Sequence, residues 1–276
     1  MTEQTDFSAW IDRTDKGLPE EVTGRLLDRY RATFDPHLAD TGHAPAGIHW
    51  CLSPPVVTAA LLGEDGHPRK GGFLPPVPLP RRMWAGGELE FLDPLREGDI
   101  VTRTSRIADI RRKEGRSGVL CFVTVNHEHA THRGVAIRER QDIVYRAAAT
   151  APATAALANA RGDADLQAEV PVDTVMLFRY SALTFNGHRI HYDEHYARAV
   201  EFYPGLVIHG PLQATLLLNF AATLGGGMPR KFSFRGESPA CGAQTLRLRA
   251  WKNAGGSELA TVTGDDVTAM TGTATW

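Results

Sequence analysis

The sequence predicts an α+β protein made of two halves of similar order, each passing from helix into consecutive strands. Three observations carry this. Val22, Leu26, Leu27, Tyr30 and Phe34 recur at three- and four-residue spacing, the stripe of an amphipathic helix over residues 20–34. Segments 83–92, 100–110, 118–126 and 135–145 alternate or run apolar as strands do, and GVLCFVTVN (118–126) is the strongest of them. Past the midpoint, PLQATLLLNFAATL (211–224) is apolar almost all round, as a helix buried on most sides should be, and strand-like pieces follow it to the C-terminus.

In chain order, the first helix gives way to a loop rich in Pro, Gly and His over 35–47 and an apolar stretch broken by Pro54-Pro55. Residues 63–80 hold five Pro and four Gly, too punctuated for a regular element. The four strands follow. Residues 147–168 contain almost nothing bulky, a composition that predicts a connector, partly helical. The second half opens with a short apolar strand at 174–178, then helices at 194–200 and 211–224, and closes in strands at 231–234, 244–251, 259–263 and 267–275. The expected division is therefore 1–147, a linker 148–168, and 169–276.

Composition excludes several classes of function. A formal net charge of −2 provides no broad field for nucleic acid or an anionic membrane. No apolar run approaches the ~18 residues of a spanning helix. The first residues, MTEQTDFSAWIDRTDKG, scatter charges and lack the apolar core of a secretory signal. Cys51, Cys121 and Cys241 are too far apart for a metal knuckle or a disulfide framework, so a reduced, cytoplasmic setting is expected. There is no GxSxG, Walker loop or Rossmann fingerprint to support a hydrolase, kinase or dehydrogenase.

Reactive groups are densest over 179–210, which hold His188, His191, His195 and His209. Asn186 and His191 lie five apart in a turn that leads into a helix beginning near Asp193. The second notable point is His209-Gly210-Pro211. Proline is favoured at the first helical position, which leaves the Gly210 N–H aimed along the axis of a buried helix. A preorganised donor there can stabilise an oxyanion. His127, His129 and His132 invite a metal reading, but HExxH is absent and a strand end before a turn commonly carries exposed polar residues, so no metal is expected. Arg111, Arg112, Lys113 and Arg116 form a basic hairpin tip, expected to be a solvated turn.

YSALTFNGHRIHYDEHYA followed by YPGLVIHGPL resembles the MaoC-like hydratase/dehydratase family of hot-dog folds, most similar to hydroxyacyl-thioester dehydratase type 2 and mesaconyl-C4-CoA hydratase-like proteins. LPRRMWAGGELEF, LREGDIV and DIVYR resemble the N-terminal domain such proteins carry, so the resemblance runs from about Trp10 to the end. It implies a double hot-dog, two curved antiparallel sheets each wrapped around a long helix, with the catalytic motif in the second half only. In the first half residues 53–62 would supply the helix, with Pro55 near its first turn.

The implied chemistry is reversible hydration of a 2-enoyl-CoA, with mesaconyl-C4-CoA, itaconyl-CoA or ordinary 3-hydroxyacyl thioesters as substrates, no cofactor, and a homodimer as the assembly. His191, Asn186 and Gly210 become catalytic residues; His209, Arg179 and Arg82 would meet substrate. Related single-domain hydratases have Asp where this chain has Asn186, and Asn cannot exchange a proton at neutral pH. Either His191 moves every proton, or a carboxylate elsewhere helps. A non-catalytic acyl-thioester-binding protein and an acyl-CoA thioesterase are the alternatives.

Overall fold

The computed structural model describes residues 6–115, 118–149, 151 and 162–276. Its elements are β1 (Thr14–Lys16), β2 (Glu20–Glu21), α1 (Gly24–Phe34), β3 (Arg81–Phe91), β4 (Ile100–Gly115), β5 (Gly118–Thr131), β6 (Gly134–Arg146), β7 (Leu166–Val172), α2 (Thr174–Leu183), α3 (Glu194–Ala199), α4 (Gly210–Gly225), β8 (Lys231–Gly236), β9 (Gln244–Asn253), β10 (Gly256–Val262) and β11 (Thr268–Thr275). Eleven described strands form one antiparallel sheet in the order β1-β4-β5-β6-β3-β8-β11-β10-β9-β7, with β2 paired to β4. The seam between the halves is β3 against β8, from Gly86 opposite Arg235 to Glu90 opposite Lys231. Pro171 sits in β7, at the sheet edge, where a missing N–H interrupts no ladder.

The sheet curves around α4, as the hot-dog expectation requires. Every residue from Leu212 to Ala222 is buried, and the helix ends on Gly226 at φ 70°. Burying each such leucine removes about 1.5–3 kcal/mol of apolar exposure. Two of the buried polar residues inside α4, Gln213 and Asn219, find partners. Thr261 donates to Gln213 Oε1 at 2.7 Å, and Asn219 donates to Ala46 O at 3.0 Å while accepting from Ala39 N–H at 3.1 Å. Tyr30 of α1 donates to the same Ala46 carbonyl at 2.9 Å. Side chains of both halves thus share one core around α4.

Three expectations need correction. Residues 53–62 form no long helix: only a 3-10 turn appears, at Ala59–Leu61, while Val56 and Leu61 are exposed. Pro54 and Pro55 push the residues before them out of the helical region, and Val56, Val57 and Thr58 then follow as a β-branched run. A second 3-10 turn, Ile48–Cys51, takes the position against the first-half sheet.

The apolar segment 174–178 is helix, not strand. Asp173 caps α2 by accepting from Met176 N–H at 2.8 Å, and a short apolar run carries no period strong enough to resist that cap. The strand that opens this half is β7, whose first residues fall inside the stretch expected to be linker; most of the rest of that linker lies outside the described residues. Among the described residues no helix is long and apolar enough to cross a membrane.

Candidate active site

α2 ends in a turn at Phe185, and Asn186–Gly187–His188 leads into a 3-10 turn, Arg189–His191. Asn186 Oδ1 accepts the His188 N–H at 3.0 Å, so the side-chain oxygen stabilises the turn. His191 Nδ1 is 2.7 Å from Val207 O. A carbonyl can only accept, so the ring proton is on Nδ1 and Nε2 keeps its lone pair. Burial pushes the His191 pKa down to about 3, against the Val207 hydrogen bond and with a smaller contribution from His67. The ring is therefore an unprotonated base at neutral pH. Val207 N–H in turn donates to Ile190 O at 2.9 Å, and Ile208 N–H to Ala240 O at 2.8 Å. This short ladder holds His191 against Val207, three residues before the start of α4.

At that start, no described acceptor takes the Gly210 N–H. A Cβ on Gly210 would lie 3.1 Å from the Trp84 ring, a contact tight enough that the ring would have to give by a few tenths of an ångström where the helix begins against β3. His209, fully buried, stacks on His191 with centroids 3.6 Å apart and planes at 18°, and its Nε2 meets Ser181 Oγ at 2.8 Å. The sequence had suggested that His209 meets substrate, but it does not line the cavity; it braces His191, which does. Ser181, on α2, completes this support; the sequence offered no signal for it, because a Ser in an apolar helix is unremarkable.

His191, Asn186, Gly210 and Arg82 all line one cavity of about 1170 Å³, whose mouth carries Phe178, Phe185 and Tyr192. Arg179 does not. Its guanidinium donates to Ala32 O at 2.9 Å, tying α2 to the last turn of α1. Arg81 is buried in an ion pair with Glu201 and sits over the Tyr203 ring at 4.9 Å, which leaves Arg82 as its unburied neighbour on the cavity wall. The carboxylates that follow His191 are engaged elsewhere: Asp193 caps α3 and receives Arg189 at 2.7 Å, and Glu194 pairs with Arg198 at 2.9 Å on the surface.

The carboxylate that does approach the site comes from the stretch read as irregular. Asp65 Oδ2 lies 2.9 Å from His67 Nδ1, and its Oδ1 accepts the His67 N–H at 3.0 Å. His67 lies against His188 with centroids 4.1 Å apart, and His188 meets His191 edge-on at 5.3 Å. A row of four imidazoles, His67, His188, His191 and His209, thus begins at a carboxylate. Burial opposes ionisation of Asp65, but the hydrogen bonds and charge of His67 outweigh it and hold the carboxyl well below its usual range. Burial pushes His188 and His209 down as well. Asp65, His67 and His188 have ligand atoms within 4.8 Å of one another and are the described group that could hold a cation. Within the group, Asp65 Oδ2 is hydrogen-bonded to His67 Nδ1.

His127 and His129 also depart from expectation. They are buried, not exposed: His127 meets Ser105 Oγ at 2.8 Å, and His129 meets Glu139 Oε2 at 3.2 Å, beside His49. His132 is exposed, as are Arg111, Arg112 and Lys113; Arg116 lies outside the described residues.

The pattern of hydroxyacyl-thioester dehydratase type 2 matches residues 47–242, most of the chain and the whole of this site. The chain belongs to that family. A mesaconyl-C(4)-CoA hydratase of Chloroflexus aurantiacus is 41% identical over 273 residues, 97% of each chain. A solved MaoC-like dehydratase superposes with TM-score 0.71 at 13% identity, covering 97% of this chain and 98% of its own. A Mycobacterium tuberculosis protein with a double hot-dog fold superposes with TM-score 0.58 at 13% identity, covering 96% of both chains. The fold is a double hot-dog whose two halves differ at the helix.

Proposed function

We propose that this protein reversibly adds water across the 2,3 double bond of a 2-enoyl-CoA, the reverse being dehydration of a 3-hydroxyacyl-CoA. The observation that carries the reading is the joint placement, on one cavity, of the His191 Nε2 lone pair and the Gly210 N–H. Each supplies one requirement of the reaction. The thioester carbonyl gains negative charge as oxygen adds to Cβ, and Gly210 offers a fixed donor for it. The attacking water must lose a proton, and His191 is in its unprotonated form to take it. The enolate charge at Gly210 and the imidazolium charge at His191 develop together in one cavity, so each offsets the cost of the other. Phe178, Phe185 and Tyr192 give the mouth an apolar rim suited to an acyl chain and the arm of its carrier.

The substrate we favour has a second carboxylate, as in mesaconyl-C4-CoA or itaconyl-CoA. Arg82 supports this, being the guanidinium on the wall beside the imidazole row, and so does the hydratase relative. The test is incubation with crotonyl-CoA, mesaconyl-C4-CoA and itaconyl-CoA, following enoyl absorbance and free thiol. Loss of absorbance without thiol supports hydration; thiol release or binding alone refutes it. Arg82→Gln is expected to raise KM for the dicarboxyl substrates about 10-fold or more, the worth of a hydrogen bond to a charged group, and to leave crotonyl-CoA within about 3-fold.

A further inference from the structure

In the hydration reading, the proton that water gives to His191 must still be carried to Cα, and Asn186 can neither hold nor release it. We propose that the Asp65–His67 pair, delivered from the first half of the chain, is the second proton-transfer group of the active site. This rests on the hydratase reading above.

The geometry is built for it. The 63–67 segment closes on itself, Gly63 N–H donating to His67 O at 2.7 Å and Gly66 N–H to Gly63 O at 3.0 Å. It is then strapped to the catalytic turn: Arg189 N–H donates to Asp65 O at 2.9 Å, and the Arg189 guanidinium to Glu64 O at 3.0 Å. Gly66, at φ 86°, meets Gly187 backbone to backbone; a Cβ on Gly66 would strike Gly187 O, and one on Gly187 would lie 2.9 Å from Gly66 O. Only glycine at both positions allows so close an approach. The approach places the His67 ring on His188 and on the cavity wall. Asp65 holds Nδ1, which fixes the ring and leaves Nε2 as the exchanging nitrogen, the relation of a carboxylate to a catalytic base in a triad.

The proton balance closes with every ring neutral at rest. The O–H bond of water breaks, its proton goes to His191 Nε2, and the oxygen electrons form the bond to Cβ. The π electrons move onto the thioester oxygen at Gly210. The proton passes from His191 to His67 by way of His188 or a water beside it, and Asp65 stabilises the imidazolium formed. The enolate then takes that proton from His67 Nε2 to form the Cα–H bond. All three rings end neutral.

Two variants test this. His67→Asn keeps a donor for Asp65 and removes Nε2; Asp65→Asn keeps the ring and removes the charge. In the full-length protein with an enoyl-CoA that the wild type hydrates, His67→Asn should lower kcat about 10²-fold or more with KM within about 3-fold. Asp65→Asn should lower kcat by about 10-fold and move the acid limb of its pH profile to lower pH, because the His67 imidazolium loses its counter-charge. The groups facing His67 are Asp65, Arg82, His188 and His191, with Lys70 near Asp65; of these the first variant removes none and the second only Asp65.

Equal kcat in a folded His67→Asn, or a change in KM alone, overturns the proposal. So does activity that is lost on chelation and restored by zinc, which would make the cluster a metal site. A wild type that hydrates none of the substrates overturns the hydratase reading itself, whereas an active wild type with an unaffected His67→Asn overturns this inference alone.

Discussion

The two halves of the molecule each bury a group of histidines that reaches the wall of the same cavity, and only the second-half group stands beside the start of a long helix. In the first half His49, His127 and His129 crowd around Glu139, which also accepts from Trp50 and Gln141 at 2.8 Å each. Burial opposes the charge on Glu139, yet the His129 hydrogen bond and the charges of His127, His49 and His129 hold it well below the ordinary carboxylate range. There the backbone is a 3-10 turn at Ile48–Cys51, entered from a left-handed Gly47. In the second half His209-Gly210 opens a 16-residue helix. A buried imidazole becomes useful when an aligned helix terminus stands beside it to receive negative charge. Without that terminus it is a polar group that must be satisfied internally.

The largest expected effect breaks the comparison at its centre. His191→Ala should lower the hydration rate about 10²-fold or more, whereas His129→Ala should leave kcat within about 3-fold and cost about 1–3 kcal/mol of stability, because Glu139 loses a buried donor. Rate assays and urea midpoints on the two variants would show whether the roles divide this way. Gly210→Ala comes next. Its new methyl meets Trp84, so the ring and the helix start must give between them, and kcat should fall about 10-fold or more as the donor leaves its place; thermal unfolding separates this from a folding defect.

Acidity bears on both halves together. His49, His127 and His191 are pushed by burial to about 3, about 4 and about 3, all below the ~6.5 of an unfolded chain. The unfolded state therefore takes up protons that the native state refuses. Stability is full above about pH 6.5 and declines as pH falls toward 4, by up to about 1.4 kcal/mol per pH unit for each such ring. Unfolding midpoints between pH 7.5 and 4.5 would show it, and a flat profile would mean that these rings are not buried neutral.

The smallest effect is expected for Asn186→Asp. The carboxylate would still accept the His188 N–H, so kcat should stay within about 3-fold; a large gain would show that the Asn limits the site.

What the sequence revealed followed the range of the interactions involved. Asn186, His191 and Gly210 were legible because each depends on neighbours within a few residues: an Asx turn, a 3-10 turn, a proline-led helix. The strands were legible from their alternation, though β4 and β5 run farther than the apolar pattern because their ends pair as an exposed hairpin. The helix at 174–183 was missed because its cap, Asp173, outweighed an ambiguous apolar run. Arg179 and His209 were placed on the correct segment but could not be oriented without the packing of α1 and of Ser181. Asp65 and His67 were invisible for a different reason. Nothing local marks DGH as special; its partners, Gly187 to Arg189, lie more than a hundred positions away.

That long-distance strap has a consequence for how such a chain can be divided. A single hot-dog cut from residue 169 onward would retain His191, Gly210 and α4, yet lack the carboxylate and its imidazole, and Asn219 would face an empty space where Ala39 and Ala46 stood. Two copies of the second half could not restore these contacts, since neither contains the 63–67 segment. Whatever symmetry once related the halves, they now have a division of labour that cannot be undone by swapping one for the other.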